Sequence, residues 1–313
     1  MMKKTAFLFP GQGSQAVGMG KDFYHSSSEA RRMFMRADDA LGFSLSRLCF
    51  EGPKEELRLT RNTQPALLLV SYVAYTLLDE APSIAAGHSL GEYSALVAAG
   101  SLSFEDAIRL VHKRGRYMQE AVPVGIGAMA ALMGVNFPTV RQALSEIKEG
   151  IVEIANWNSR EQIVIAGHEA AVKEALTRIQ PRRSIMLPVS APFHCELMRS
   201  AEEKLAVDLE AVEFRDLAFP IVTNVDARII HKGEDARDSL KRQVTRTVLW
   251  FKSMELLAQE GMNMFVELGP GNVLTGLLKR IGREWPSPPL VLNAEDVASL
   301  EKARETLAYV SLS

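Results

Sequence analysis

From Gly127 to Val189 the apolar residues switch between two spacings in an order that few folds accept. Gly127 to Val135 reads as a strand and Phe137 to Ile147 as a helix. Val152 to Asn156 and Gln162 to Gly167 are strand-like runs parted by the turn residues of "NSRE"; Glu169 to Ile179 is again helical, and Arg183 to Val189 closes as a strand. The order β-α-β-β-α-β matches the split βαβ, ferredoxin-like unit. It predicts a small inserted domain at 125–190 within a larger, discontinuous domain formed by 1–124 and 191–313.

Outside the insertion the rhythm is that of an α/β protein. "TAFLFPGQGSQ" reads as a buried strand, Thr5 to Phe9, running into a glycine-rich loop. A helical pattern from Pro65 to Leu78 precedes a short strand at Ser83 to Gly87, and strands recur at Phe219 to Val225, Met264 to Leu268 and Pro289 to Leu292. Strands alternating with helices predict a largely parallel sheet. A large domain interrupted by a small one leaves a cleft between them, the usual place for a ligand.

With 313 residues, 47% of them hydrophobic and 24% charged, the chain has material for a large core. A net charge of -2 argues against a general binder of nucleic acid or of membrane surfaces. The apolar run Thr5 to Pro10 is too short for a signal-peptide core, and no run reaches transmembrane length, so the expected location is the cytoplasm. The two cysteines, Cys49 and Cys195, make neither a disulfide framework nor a metal-ligand cluster.

The chemistry concentrates at "AAGHSLGEYSALVAAG", where Ser89 stands between Gly87 and Gly91. One reading is a nucleophile elbow, a sharp strand-to-helix turn that lifts the hydroxyl out; the other is a helix N-cap serine. The strand before and the uninterrupted helix after favour the elbow, because the helix start aims N–H groups at charge developing near Ser89. The loop "PGQGSQ" offers a second backbone donor at Gln12. It is not a phosphate loop, since Gly18 is followed by Met19 rather than the Lys-Ser/Thr pair.

Of six histidines, His194 in "PVSAPFHCEL" lies where the insertion returns to the large domain. A helix start there would keep the ring neutral, as a base requires; a helix-capping histidine is the competing reading. Cys195 diverges from it by about 100° if helical and reads as packing. Along "FEDAIRLVHKRGRYMQEA", Phe104, Ala107, Val111 and Met118 form the buried stripe and Arg114 sits on its edge. Its anion is either a structural carboxylate, Glu92 or Glu120, or an acidic substrate gripped by two parallel hydrogen bonds.

Together "FPGQGSQ", "NTQPA", "GHSLGEYSAL", "KRGRYMQEAVP", "NWNSREQIVIAG", "SAPFHCELM" and "VELGPGNVLTGL" resemble the malonyl-CoA:acyl carrier protein transacylases of fatty acid and polyketide synthesis, nearly end to end. The resemblance implies an α/β-hydrolase-like large domain with a parallel sheet core and a ferredoxin-like insertion. It implies that Ser89 and His194 are the catalytic pair, that the backbone N–H groups of Gln12 and Leu90 form the oxyanion hole, and that Arg114 binds malonate. It implies too that the carbonyl of Leu249, in "TVLWFK", holds the second nitrogen of His194. Phe193 resembles relatives that select malonyl over methylmalonyl groups.

The expected activity is ping-pong transfer of malonyl from malonyl-CoA, through malonyl-Ser89, to the phosphopantetheine thiol of acyl carrier protein, with no metal and no cofactor. Expected partners are malonyl-CoA and the carrier protein, with no nucleic acid or membrane, and the chain is expected as a monomer. The alternatives are an acyl hydrolase or thioesterase on the same fold and a non-catalytic acyltransferase-like module. Arg182 and Arg183, with Lys279 and Arg280, are the candidate carrier-docking pairs.

Overall fold

The computed structural model describes residues 4–123, 125–189 and 191–311. The expected domain limits at 124 and 190 fall on residues outside that set. Strand β1 spans Lys4–Phe9, β2 Ile84–Gly87, β3 Gly127–Met133, β4 Val152–Ser159, β5 Gln162–His168, β6 Arg183–Met186, β7 Ile221–Val222, β8 Ile229–Ile230, β9 Met262–Leu268 and β10 Leu290–Ala294.

The large sheet runs β10-β9-β1-β2-β7-β8, and the small one β4-β5-β3-β6. Every pairing in the large sheet is parallel except β7 with β8. Every pairing in the small sheet is antiparallel, with helices Phe137–Ser145 and Glu169–Ile179 in the two crossovers. That strand order is the ferredoxin-like one.

Alternation along β1 shows how the large sheet is sandwiched. Phe7 and Phe9 join a core with helices Ser28–Leu41, Thr60–Leu78 and Phe104–Glu120; Ala6 and Leu8 join another with Trp250, Met254, Leu274 and Leu278. The small sheet is likewise buried on both faces along β3 and β5, while its edge strand β6 is exposed. Ala130, Leu132, Ile163 and Ile165 pack under its own helices, while Met129, Ala131, Val164 and Ala166 pack toward the large domain. The insertion is thereby held as a roof over the carboxyl ends of the parallel strands.

Those ends position the site. Strand β1 pairs with β2 on one side and β9 on the other, in a register that sets Phe9 beside Gly87. The loops after β1 and β2 therefore leave together at the point where connections diverge, which is where open α/β sheets bind ligands. Glycine makes the approach possible: a Cβ on Gly87 would lie 1.9 Å from the Gly91 carbonyl, and one on Gly91 2.0 Å from the Phe9 oxygen.

Several elements differ from expectation. The helix expected from Pro65 starts at Thr60 and carries Pro65 inside it. Proline lacks the N–H that would bond the Arg61 carbonyl, and that oxygen faces the His112 ring Nδ1 at 2.9 Å instead. The strand expected at 219–225 shrinks to Ile221–Val222 and turns back into the unforeseen β8. Strand β6 stops at Met186 rather than Val189, and β4 runs on to Ser159. Four helices between Lys21 and Arg58 were not anticipated. Among the described residues, no helix is long and apolar enough to cross a membrane.

Candidate active site

Ser89 occupies the turn between β2 and the helix Gly91–Ala98, with φ of 50°, a left-handed conformation that a serine adopts only when its surroundings hold it. The hold is visible. Its N–H donates to Asn224 Oδ1 at 2.7 Å, and its carbonyl accepts from Gln243 Nε2 at 3.1 Å. The hydroxyl meets His194 Nε2 at 2.8 Å.

The tautomer of His194 follows from its other side. Nδ1 lies 2.8 Å from the Gln243 carbonyl oxygen, which can only accept, so Nδ1 carries the proton and Nε2 is free to receive one from the serine. Burial, then the Arg114 charge, then His88, push the pKa of His194 down to about 3, against the pull of the Gln243 carbonyl. The ring is thus a neutral base. Sequence reasoning expected a helix start to produce this neutrality; His194 instead precedes the short 3-10 turn Glu196–Met198, at φ of 61°, and burial dominates.

The carbonyl that orients His194 also differs from expectation. The Leu249 oxygen accepts from the N–H and hydroxyl of Ser253, at 3.0 and 3.2 Å, as part of the first turn of its own helix. Gln243 ends the helix Gly233–Gln243, and the final carbonyls of a helix have no partner within it. One of them is therefore available to the histidine, and the Leu249 oxygen is not.

Arg114 is 1% exposed, and its bonds go to neutral amides rather than to Glu92 or Glu120. Nη1 donates to Gln64 Oε1 at 2.8 Å and Nη2 to Gln243 Oε1 at 2.9 Å. Nη2 also reaches Ser89 Oγ at 3.2 Å, and the guanidinium lies 5.5 Å from the centre of the Tyr93 ring. Nε has no partner among the described residues. A buried cation beside the reacting hydroxyl, with no ion pair among the described residues, is arranged to receive an anion.

Gln12, Leu90 and Phe193 line the same cavity of about 110 Å³ as Ser89, Arg114 and His194. Around Gln12 the Gly13 N–H is taken by Gln15 and the Ser14 N–H by the Gly11 carbonyl; beside Leu90, the Gly91 N–H is taken by the His88 carbonyl. The N–H groups of Gln12 and Leu90 themselves have no partner among the described residues. Cys195 donates to the Pro192 carbonyl at 3.0 Å, and burial raises its pKa to about 12, so it is no rival nucleophile.

From this cavity a second one, about 510 Å³, leads outward past His88, Asn156 and Leu187 to Gln162 and Arg280. There it meets a groove of about 710 Å³ between the two domains, lined by Arg160, Arg182, Arg183, Arg280 and Arg283 with Glu161 and Glu284. Arg160 pairs with Glu284 at 2.7 Å; Arg182, Arg183 and Arg283 have no acidic partner among the described residues.

Gln243, Asn224 and Gln64 are the site members that sequence reasoning missed. Only Gln64 had a signal, its place in "NTQPA". Gln243 and Asn224 sit in stretches with no motif and reach the site through the fold.

A serine at a strained strand-to-helix turn, a neutral imidazole on its hydroxyl and unclaimed backbone N–H groups nearby define a serine acyl transferase or hydrolase. Residues 6–306 match the acyl transferase domain family. Malonyl CoA-acyl carrier protein transacylase of Escherichia coli K12 is 48% identical over 288 residues, 90% of this chain and 93% of that one. The solved malonyl CoA-acyl carrier protein transacylase of Coxiella burnetii superposes with a TM-score of 0.94 at 38% identity, covering 98% of each chain. A malonyl-transacylase solved in complex with its type II polyketide synthase acyl-carrier protein superposes with a TM-score of 0.93 at 43% identity, over 97% of this chain and 100% of that one. The chain belongs to the acyl transferase family, in its malonyl CoA-acyl carrier protein transacylase branch.

Proposed function

We propose that this protein moves a malonyl group from malonyl-CoA to the phosphopantetheine thiol of an acyl carrier protein, for chain extension in fatty acid or polyketide synthesis. The observation that carries the reading is the placing of Arg114 Nη2 3.2 Å from the same Ser89 oxygen that His194 Nε2 meets at 2.8 Å. A base alone makes a serine reactive; a base and a guanidinium with no carboxylate partner among the described residues make it reactive toward an acyl group that carries its own anion.

His194 takes the hydroxyl proton as Ser89 Oγ attacks the thioester carbonyl. The tetrahedral oxyanion is held by the N–H groups of Gln12 and Leu90. Collapse breaks the C–S bond, and the proton on His194 goes to the departing CoA sulfur, leaving malonyl-Ser89. In the second half the carrier's thiol attacks the ester, His194 takes the thiol proton and returns it to Ser89 Oγ, and the malonyl thioester leaves on the carrier. Throughout, Arg114 holds the malonyl carboxylate, so neutral acyl groups lack its grip. Phe193, on the cavity wall, sets room beside the malonyl carbon. The steps are complete with these groups, and the reading assigns no metal or cofactor.

The complex solved for a relative and the arginine groove on this chain support docking of the acidic carrier between the two domains, with its arm entering past Gln162 and Asn156. The protein acts as a monomer in the cytoplasm in this reading. Incubation with malonyl-CoA, with and without holo carrier protein, tests it. Free CoA should appear in stoichiometric amount without the carrier and in multiple turnovers with it. Multiple turnovers without the carrier would make the protein a hydrolase.

A further inference from the structure

The most deeply buried acid in the site is one that no step above uses. Glu92 follows Ser89 by one helical turn and has no exposed surface. Its Oε2 accepts from the Asn224 N–H at 2.9 Å and from Gln243 Nε2 at 2.8 Å, and its Oε1 accepts from the Ser239 hydroxyl at 2.9 Å. Arg114 is buried nearby, yet the two charges do not touch.

The side-chain amide of Gln243 stands between them. Its NH2 donates to Glu92 and its oxygen accepts from Arg114 Nη2 at 2.9 Å. A flipped amide would set NH2 against the guanidinium and oxygen against the carboxylate, so the pair of charges holds it one way round. The same NH2 reaches the Ser89 carbonyl at 3.1 Å, and Asn224, whose N–H Glu92 holds, takes the Ser89 N–H at 2.7 Å. The strained serine is gripped at both its N–H and its C=O by residues anchored on Glu92.

We propose that Glu92 is the counter-charge of the acyl site, a positioning residue whose ionised carboxylate offsets Arg114 across the Gln243 amide. The proposal rests on the transfer reading above. A direct ion pair would occupy the donors that Arg114 needs for substrate. With no anion, the guanidinium and the imidazolium formed on His194 would meet as two uncompensated positive charges in a buried site. Burial holds the Glu92 carboxyl above its ordinary range, and the Asn224 N–H, the Ser239 hydroxyl, the Gln243 amide and the Arg114 charge oppose it in favour of the ionised form.

Charge and hydrogen bonds are separable here. Glu92→Gln retains every bond if its oxygen faces the two N–H donors at the Oε2 position and its NH2 faces the Ser239 hydroxyl, which accepts as well as donates. It removes the charge alone. Glu92→Asp keeps the charge but draws it back by a methylene and weakens the bonds.

The experiment measures kcat and KM for malonyl-CoA and acetyl-CoA, with Tm, in wild type and both variants. In Glu92→Gln, kcat should fall about tenfold or more, the scale of a unit charge acting across one intervening amide. KM for malonyl-CoA should hold or fall, because an uncompensated Arg114 grips the carboxylate harder. Acetyl transfer should fall further, since acetyl brings no anion of its own, and the malonyl-to-acetyl ratio should widen. Glu92→Asp should keep the wild-type ratio despite a lower Tm.

An unchanged kcat in Glu92→Gln would overturn the proposal. So would a raised KM with parallel losses on both substrates in both variants, the pattern of a merely structural residue. If Glu92→Gln does not fold, Glu92→Asp decides through KM and the ratio together: an unchanged KM with the wild-type ratio supports the counter-charge, and a raised KM with parallel losses, or a shifted ratio, refutes it. The wild-type arm separates the two levels. No malonyl-enzyme in wild type removes the transfer reading together with this one, whereas an active wild type with unmoved variants removes this one alone.

Discussion

Arg114→Ala exposes the logic of substrate choice. The side chain is 1% exposed and is held by two amide oxygens, of Gln64 at 2.8 Å and Gln243 at 2.9 Å, while Nη2 faces Ser89 Oγ. Each charged hydrogen bond to a malonyl carboxylate contributes roughly 1.5–3 kcal/mol, so losing the grip should lower kcat/KM for malonyl-CoA at least about ten- to hundredfold. Acetyl-CoA has no carboxylate to lose, and the variant removes a desolvated cation from its path, so acetyl transfer should hold or rise. Stability is a separate matter. The variant leaves two buried amide oxygens without donors, at roughly 1–3 kcal/mol each, partly offset by removal of the buried charge, so a lower Tm is expected on either account of Arg114. The discriminating assay is therefore the ratio of kcat/KM for malonyl-CoA to that for acetyl-CoA, taken on variant and wild type under the same conditions. Equal losses on the two substrates would refute the carboxylate clamp and leave Arg114 a structural residue.

His194→Ala should slow acylation and transfer alike by about 10²–10⁴-fold, the usual worth of a general base, and rapid-quench measurement of each half-reaction checks it. The depressed pKa of His194 also has a stability consequence. The unfolded chain binds a proton near pH 6.5 that the folded imidazole, pushed down to about 3, refuses. Its contribution is intact above pH 6.5 and drains as pH falls toward 3, by up to ~1.4 kcal/mol per pH unit. Urea titrations of wild type and His194→Gln between those limits should show a shallower acid slope in the variant; equal slopes would contradict the buried neutral ring. Charge reversal at Arg182 with Arg183, or at Lys279 with Arg280, should raise KM for the carrier protein, less so at high salt, and leave acylation by malonyl-CoA unchanged. No change at either pair would remove these positions from the docking face.

What was legible in the chain was whatever repeats. The helix Glu169–Ile179 emerged with its expected ends because apolar spacing and turn residues both mark it, and the strand order of the insertion followed from the same signals. Two-residue strands such as β7 and β8 are too short to show any period. In the site, Ser89 carries a glycine signature and Arg114 betrays itself by standing on the edge of an apolar stripe. The partners of Arg114 do not, because glutamines leave no mark on hydrophobic spacing; the sequence leaves Glu92, Glu120 and an acidic substrate as the alternatives. The family resemblance places the carbonyl that orients His194 at Leu249, and the residue types along the chain offer nothing against it. A backbone oxygen looks alike at every residue, and only the end of the helix Gly233–Gln243 makes the one at Gln243 available.

The central claim is that Ser89 carries the malonyl group between donor and carrier, and intact-protein mass spectrometry after brief exposure to malonyl-CoA tests it directly. Wild type should gain one malonyl group, lose it on addition of holo carrier protein, and show it on Ser89 after proteolysis. Ser89→Ala should gain nothing, since Cys195, the adjacent thiol of the His194 segment, is buried and its pKa raised to about 12. A malonyl adduct that persists in Ser89→Ala would contradict the account.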